Sequence, residues 1–458
     1  MVKVYSQYKD SGIPWLGQVP TGWDQVRGKV LFKNIKELNA DRSNTNVLSL
    51  TLRGVVNNNP DDPEGLVPKD YATYQIFRKD DLVFKLIDLE NLSTSRVGLV
   101  HEDGIMSPAY VRIVPRKKVN IKFFYYSFFD LYLRGIYNQL GAGVRATLSP
   151  NDLINLKLSN PPEEEQRSIV QFIEAHELLI HRYINTKRRE IKLLHEQRNA
   201  IVKKAVCNGI TSKVRLKPSG INWLGEIPEH WTTLHGFELF GEKQQKNTGM
   251  IEQTILSLSY GRIIIRPIEK LHGLVPASFE TYQIVEPGDI IIRSTDLQND
   301  KTSLRVGLVR NKGIITSAYL CLKMKEGLNP NYCYYLLHAY DVMKVFYGLG
   351  SGLRQNLGFI DFKRLPILLP PPEEQIEIVR FIDEKTKDVV DSIECLEKEI
   401  VLLRNYRVRL IFDAVTGKID ARNIKLPITN CVGDIKIVKD DANLKDVEDA
   451  EEVVNADE

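Results

Sequence analysis

The sequence states most of its content twice, far apart. Ser11-Gly12-Ile13-Pro14-Trp15-Leu16-Gly17, followed by Pro20 and Trp23, returns as Ser219-Gly220-Ile221-Asn222-Trp223-Leu224-Gly225 with Pro228 and Trp231, an offset of 208 residues. Arg96-Val97-Gly98-Leu99-Val100 returns as Arg305-Val306-Gly307-Leu308-Val309 at an offset of 209, and Ala205-Val206 is answered by Ala414-Val415. One inserted residue between Asn299 and Ser303 accounts for the step. A solenoid unit is only about 20 to 50 residues long. The chain therefore reads as a duplicated domain with an attached helix, and its function has to use two similar modules.

At 458 residues, a prior of about 150 residues per domain gives room for roughly three domains. No run approaches the roughly 18 apolar residues of a membrane span, and the N-terminus lacks the apolar stretch of a signal peptide. A cytoplasmic protein is expected. Cys207, Cys321, Cys333, Cys395 and Cys431 include no C-x-x-C pair, so they read as reduced packing residues rather than zinc ligands. The net charge of +3 conceals a division: residues 434–458 carry ten acids against three lysines, a net −7, which leaves +10 on the remainder. A basic body suits a polyanion partner, and the acidic end reads as a solvated, disordered tail.

Short apolar runs bounded by Gly, Pro and Asn, such as Val47–Leu50 and its partner Ile255–Leu258, indicate a mixed α/β domain. Each copy then changes character at Pro161-Pro162-Glu163-Glu164-Glu165-Gln166 and Pro370-Pro371-Pro372-Glu373-Glu374-Gln375. Proline followed by carboxylates favours a helix start. Neither copy contains Pro or Gly again until Gly209 and Gly417. About 40 helical residues would span about 60 Å, too long for one compact domain. Ile184, Ile191, Leu194, Ile201 and Ala205 in the first helix, and Ile393, Leu396, Ile400, Leu403, Leu410 and Ala414 in the second, follow the spacing of a coiled-coil seam. Arg198 and Arg407 fall at equivalent places inside that seam, where their heads either snorkel outward or fix partner and register. With one helix per copy, the two can pair.

The divisions expected are a first globular domain over 1–161, a long central helix over 162–208, a second globular domain over 209–370, a long C-terminal helix over 371–420 and the acidic tail over 421–458. The chemistry of catalysis is sparse. Asn160-Pro161-Pro162-Glu163 imitates an amino-methyltransferase motif but places Glu163 where a stacking aromatic is needed. No H-E-x-x-H, Walker A or G-x-S-x-G motif occurs in the sequence.

The W-L-G-x-x-P-x-x-W openings, the stretch from Asp296-Leu297-Gln298-Asn299 to Arg305-Val306-Gly307, the Pro-Pro-x-E-x-Q helix starts and Ala414-Val415-Thr416-Gly417-Lys418-Ile419 resemble the specificity subunit of type I restriction-modification systems. The resemblance covers roughly 1–420. Asn222 and Cys207-Asn208 depart from the pattern, which touches only local turns. The resemblance implies two target recognition domains on a mixed α/β fold, separated by two long antiparallel coiled-coil helices in a pseudo-twofold arrangement. It also implies double-stranded DNA as a partner, read in two halves across a gap set by the helices. Two methyltransferase subunits using S-adenosylmethionine and a restriction and translocase subunit using ATP and magnesium are the other implied partners. The chain itself is expected to hold no catalytic residue, cofactor or metal.

Base-reading residues are sought where the copies differ inside their shared frame. Arginine reaches guanine O6 and N7, and asparagine reaches adenine. Arg53, Asn57 and Asn58 in the first copy, and Arg262, Arg266, Ser294 and Thr295 in the second, are the candidates. The repeated pairs Arg96/Arg305 and Arg145/Arg354 are candidates for phosphate contacts, which position without reading sequence. Two other readings stay open: a methyltransferase or nuclease with built-in recognition domains, and a coiled-coil adaptor that does not bind DNA.

Overall fold

The structure is a computed structural model and describes residues 4–59, 68–89, 94–141, 147–211, 214–267, 278–295, 297, 304–349, 356–422 and 424. Of the tail expected over 421–458, only Ala421, Arg422 and Ile424 are among these, and Ala421 is buried in the core of the first unit. The described chain divides into two compact units, and the division cuts through both long helices. The first unit joins the residues up to Lys187 to those from Lys398 onward; the second is Arg188–Glu397.

The first unit is organised around a four-stranded antiparallel sheet in the order Phe32–Asn34, Val111–Pro115, Leu82–Phe84, Val97–Leu99. Leu82, Val83 and Phe84 are all buried because both faces of the sheet are covered. Leu82 and Phe84 face the aromatic helix Ile121–Leu133, where Phe84 meets Phe128 edge-on at 5.1 Å. Val83 faces the hairpin of Leu48–Thr51 with Gly54–Asn57. Gly98 permits this hairpin to lie close: a Cβ there would stand 2.6 Å from Leu50 Cδ1. The second unit repeats the plan with Phe240–Glu242, Leu320–Met324, Ile290–Ile292 and Val306–Leu308, and with a hairpin of Leu256–Ser259 and Arg262–Ile265. Gly307 answers Gly98: a Cβ there would stand 2.6 Å from Leu258 Cδ1.

The long helices run from Glu163 to Asn208, 46 residues, and from Pro372 to Val415, 44 residues. At 1.5 Å per residue each is about 65 to 70 Å long. In the first unit the start of the central helix (Ile169, Val170, Phe172, Ile173) and the end of the C-terminal helix (Leu410, Ile411, Ala414, Val415) share one core with Trp23. In the second unit the end of the central helix (Val202, Ala205, Val206, Cys207) shares a core with the start of the C-terminal one (Ile378, Ile382) and Trp231. The helical segments are therefore antiparallel within each unit. Along the expected seam Ile184, Ile393, Ile400 and Leu410 are buried, while Ile191, Leu194, Ile201, Leu396 and Leu403 are half-buried.

Each module is fastened to its helices by the repeated tryptophan. Trp23 Nε1 donates to Glu165 Oε2 at 2.7 Å, and Trp231 Nε1 donates to Glu374 Oε2 at 3.0 Å. Both indoles are fully buried, so their N–H groups need a partner. The glutamine that follows each glutamate closes the helix start, Gln166 Nε2 donating to Pro161 O and Gln375 Nε2 to Pro370 O. At the far end of the C-terminal helix Gly417 has φ +74°, and a Cβ there would fall 2.4 Å from Pro20 Cδ. Glycine is what lets the chain turn against the Trp23 loop.

Candidate nucleic-acid interface

The hairpin of each unit and the residues at its ends carry five of the seven base-reading candidates. Arg53 is exposed in the tight turn between Thr51 and Gly54, its N–H held by Thr51 Oγ1 at 3.2 Å. Asn58 Nδ2 donates to Ser49 Oγ at 3.0 Å, across the hairpin. Arg262 is exposed as the first strand residue after the equivalent turn of the second unit, and lies within electrostatic reach of Glu397 and His195 on the helices. Burial raises the Glu397 carboxyl and Arg262 opposes that rise. Arg266 is half-buried just past the far end of that strand, its backbone N–H donating to Ile255 O.

Three candidates are corrected. Arg96 and Arg305, expected at phosphates, are buried, with 1% and 0% of their surface exposed. Arg96 Nη2 donates to Asp88 O at 2.7 Å. Arg305 donates to Arg293 O, Thr295 O and the Tyr347 hydroxyl, and its guanidinium lies over the Tyr347 ring. These arginines brace the strand connection that follows Phe84 and Ile292, which explains why both copies carry them. Ser294, expected at bases, is also buried, and its hydroxyl donates to Ala318 O at 2.9 Å. Thr295 is half-buried and lends its carbonyl to Arg305. Arg145 and Arg354 lie outside the described residues.

The structure adds a group that the sequence reading passed over. The end of the first hairpin meets the turn His101–Asp103. Asn57 Nδ2 donates to Glu102 Oε1 at 2.5 Å and to Asn46 Oδ1 at 3.3 Å, while its Oδ1 is 2.9 Å from His101 Nε2. His101 Nε2 is 3.1 Å from Glu102 Oε1. The backbone holds this turn from both sides: Val100 N–H donates to Asp81 O, and Ile105 N–H to Asn46 O. The second unit keeps those bonds as Val309 N–H to Asp289 O and Ile314 N–H to Thr254 O. Its side chains there are Arg310, Asn311 and Lys312, all exposed. The signal was present in the sequence, since His101-Glu102-Asp103 aligns with Arg310-Asn311-Lys312 at the 209 offset.

These two edges lie within segments of known type. The family model for the type I restriction modification DNA specificity domain matches residues 32–193 and again 246–401, more than half of the chain. The chain belongs to the type I restriction-modification specificity family. Among curated relatives, this specificity-family chain is similar to the type I restriction enzyme MjaX specificity subunit of Methanocaldococcus jannaschii, 25% identical over 284 residues. That match covers 60% of this chain and 62% of the relative, less than two thirds of its length. A solved chain described under complex assembly and conformational transition of the type I R-M system aligns with TM-score 0.55 at 16% identity, over 88% of this chain and 99% of that one. At this identity the likeness is one of fold. The two matches coincide with the repeat in the sequence, and both hairpin-and-turn edges fall inside the matched segments.

Proposed function

We propose that this chain is the DNA-recognition subunit of a type I restriction-modification complex, each module reading one half of a split target. The observation that carries the reading is the pair of family-matched modules, built on one scaffold, whose exposed hairpin-and-turn edges differ in charge and shape. A scaffold that stays fixed while one edge varies suits two readers of different sequences. Arg53, Arg262 and Arg266 supply the side chains that reach guanine edges in a major groove. The long helices set the spacing of the two halves, in the way that half-site separation follows geometry in other DNA readers.

In this reading the chain recognises and positions but does not catalyse. Two methyltransferase subunits carry S-adenosylmethionine, flip adenine and transfer the methyl group, and a restriction subunit brings ATP and magnesium. A test uses the purified chain, S-adenosylmethionine and genomic DNA. The chain alone transfers no methyl group, and addition of its companion methyltransferase produces methylation that depends on the chain. Methyl transfer by the chain alone, or methylation by the companion that is indifferent to it, contradicts the reading.

A further inference from the structure

We propose that the turn His101–Asp103, together with Asn57, is a base-reading element of the first module, and that Arg310–Lys312 is its counterpart in the second. The inference rests on the DNA-recognition reading above and says where within each module sequence is discriminated. In both units the turn lies beside the end of the hairpin and hangs from the same two backbone hydrogen bonds, so its position is fixed by the scaffold. Its charge is not fixed. The first turn carries Glu102 and Asp103, and the second carries Arg310 and Lys312.

A simple backbone-binding turn would be basic in both modules, because a carboxylate facing phosphates is repelled. An acidic residue on such an edge is accounted for when it faces a hydrogen-bond donor. In the major groove the donor that suits a carboxylate is the N4 amino group of cytosine. Glu102 is also oriented rather than loose: Asn57 donates to it, His101 stands against it, and Asn46 in turn accepts from Asn57. Preorganisation of this kind lowers the conformational cost of binding. Arg310 carries the opposite preference, for guanine O6 and N7. Asn57, named from the sequence as an adenine reader, instead acts as a positioning residue for Glu102, since both ends of its amide are engaged within the module.

The test maps adenine methylation in cells carrying this chain with its companion methyltransferase, for the native chain and for Glu102→Gln and Arg310→Ala. Glu102→Gln is expected to relax a cytosine at one position of one half-site by about tenfold or more, leaving the gap and the other half-site unchanged. Arg310→Ala is expected to relax a guanine in the other half-site only. Competition binding of the intact complex to duplexes changed at those positions checks the same preference without relying on methyl transfer. Methylation that keeps the native motif in both variants overturns the proposal, as does a uniform loss without positional change. A native motif that is not split defeats the DNA-recognition reading itself, so the two failures are distinguishable.

Discussion

The two units solve one problem with different side chains, most visibly where a polar group is buried under the same scaffold. In the first, Arg112 on the central strand donates to Asp81 at 2.6 Å and to Glu37 at 3.0 Å. In the second, Cys321 occupies the place of Arg112, and the cation comes instead from Lys243, the counterpart of Ile35 just past the end of the neighbouring strand. Lys243 donates to Asp289 at 2.8 Å and to Glu286 at 2.9 Å. The buried acid is kept while its partner moves from one strand to the next. What each unit preserves is therefore a neutralised acid under the turn, and the residue that supplies the charge is free to change.

The helix seam shows a second contrast. Arg407 pairs with Glu177 across the helices at 2.6 Å and lies 5.4 Å over Phe129, while Tyr126 donates to the other oxygen of Glu177 at 2.8 Å. Arg407 thus fixes a partner and does not simply snorkel. Its counterpart Arg198 finds Thr386 where Glu177 would stand and His338 where Phe129 would stand. Tyr335, the counterpart of Tyr126, turns to Asp383 at 2.5 Å. The same seam position is an ion pair in one unit and a cationic neighbour of a buried histidine in the other.

The largest effect is expected at the buried acid. Arg112→Ala leaves the Asp81 carboxylate buried without its cation, and the first unit should lose about 3 kcal/mol or more in equilibrium denaturation. Adding Ile35→Lys to Arg112→Cys copies the second unit's arrangement and should restore most of the loss. A double variant no more stable than Arg112→Cys alone would break the equivalence of the two networks. At the seam, Arg407→Ala should cost about 2 kcal/mol through Glu177 and Phe129, whereas Arg198→Ala should change stability by no more than about 0.5 kcal/mol. Equal losses would show that the seam treats the two arginines alike.

An effect confined to acid pH also separates the units. Burial, reinforced by Arg198 and His195, lowers the His338 imidazole to about 4, so the folded second unit holds it neutral while the unfolded chain protonates it below about 6.5. His338 therefore costs nothing above 6.5, and stability is lost as pH falls from there towards 4, by an amount approaching about 3 kcal/mol. His338→Phe, which copies Phe129, should flatten the acid limb of the second unit's denaturation profile relative to native. An unchanged limb would place the sensitivity elsewhere.

The duplication, the two long helices and their seam were legible because they depend on local pattern: proline and acids at a start, apolar spacing, glycine at an end. The docking of Trp23 on Glu165 was not, because partners 142 residues apart leave no local trace. Nor was the sharing of each module's core by the start of one long helix and the end of the other. Arg96 and Arg305 were misread for a related reason: a repeated arginine in a basic chain looks like a phosphate contact, and only burial against its own carbonyls shows that it braces the fold. Repetition marked what the scaffold requires. Difference marked the edge, and at His101 to Asp103 the difference was visible in the sequence but acquired meaning only once Asn57 was seen beside it.

The central claim, that two modules on one scaffold read two halves of one DNA target, is tested most directly by the methylation map of cells carrying the native chain and its companion methyltransferase. The account predicts a two-part motif with a constant gap, absent when the chain is deleted. A single uninterrupted motif, or methylation that does not depend on the chain, would contradict it.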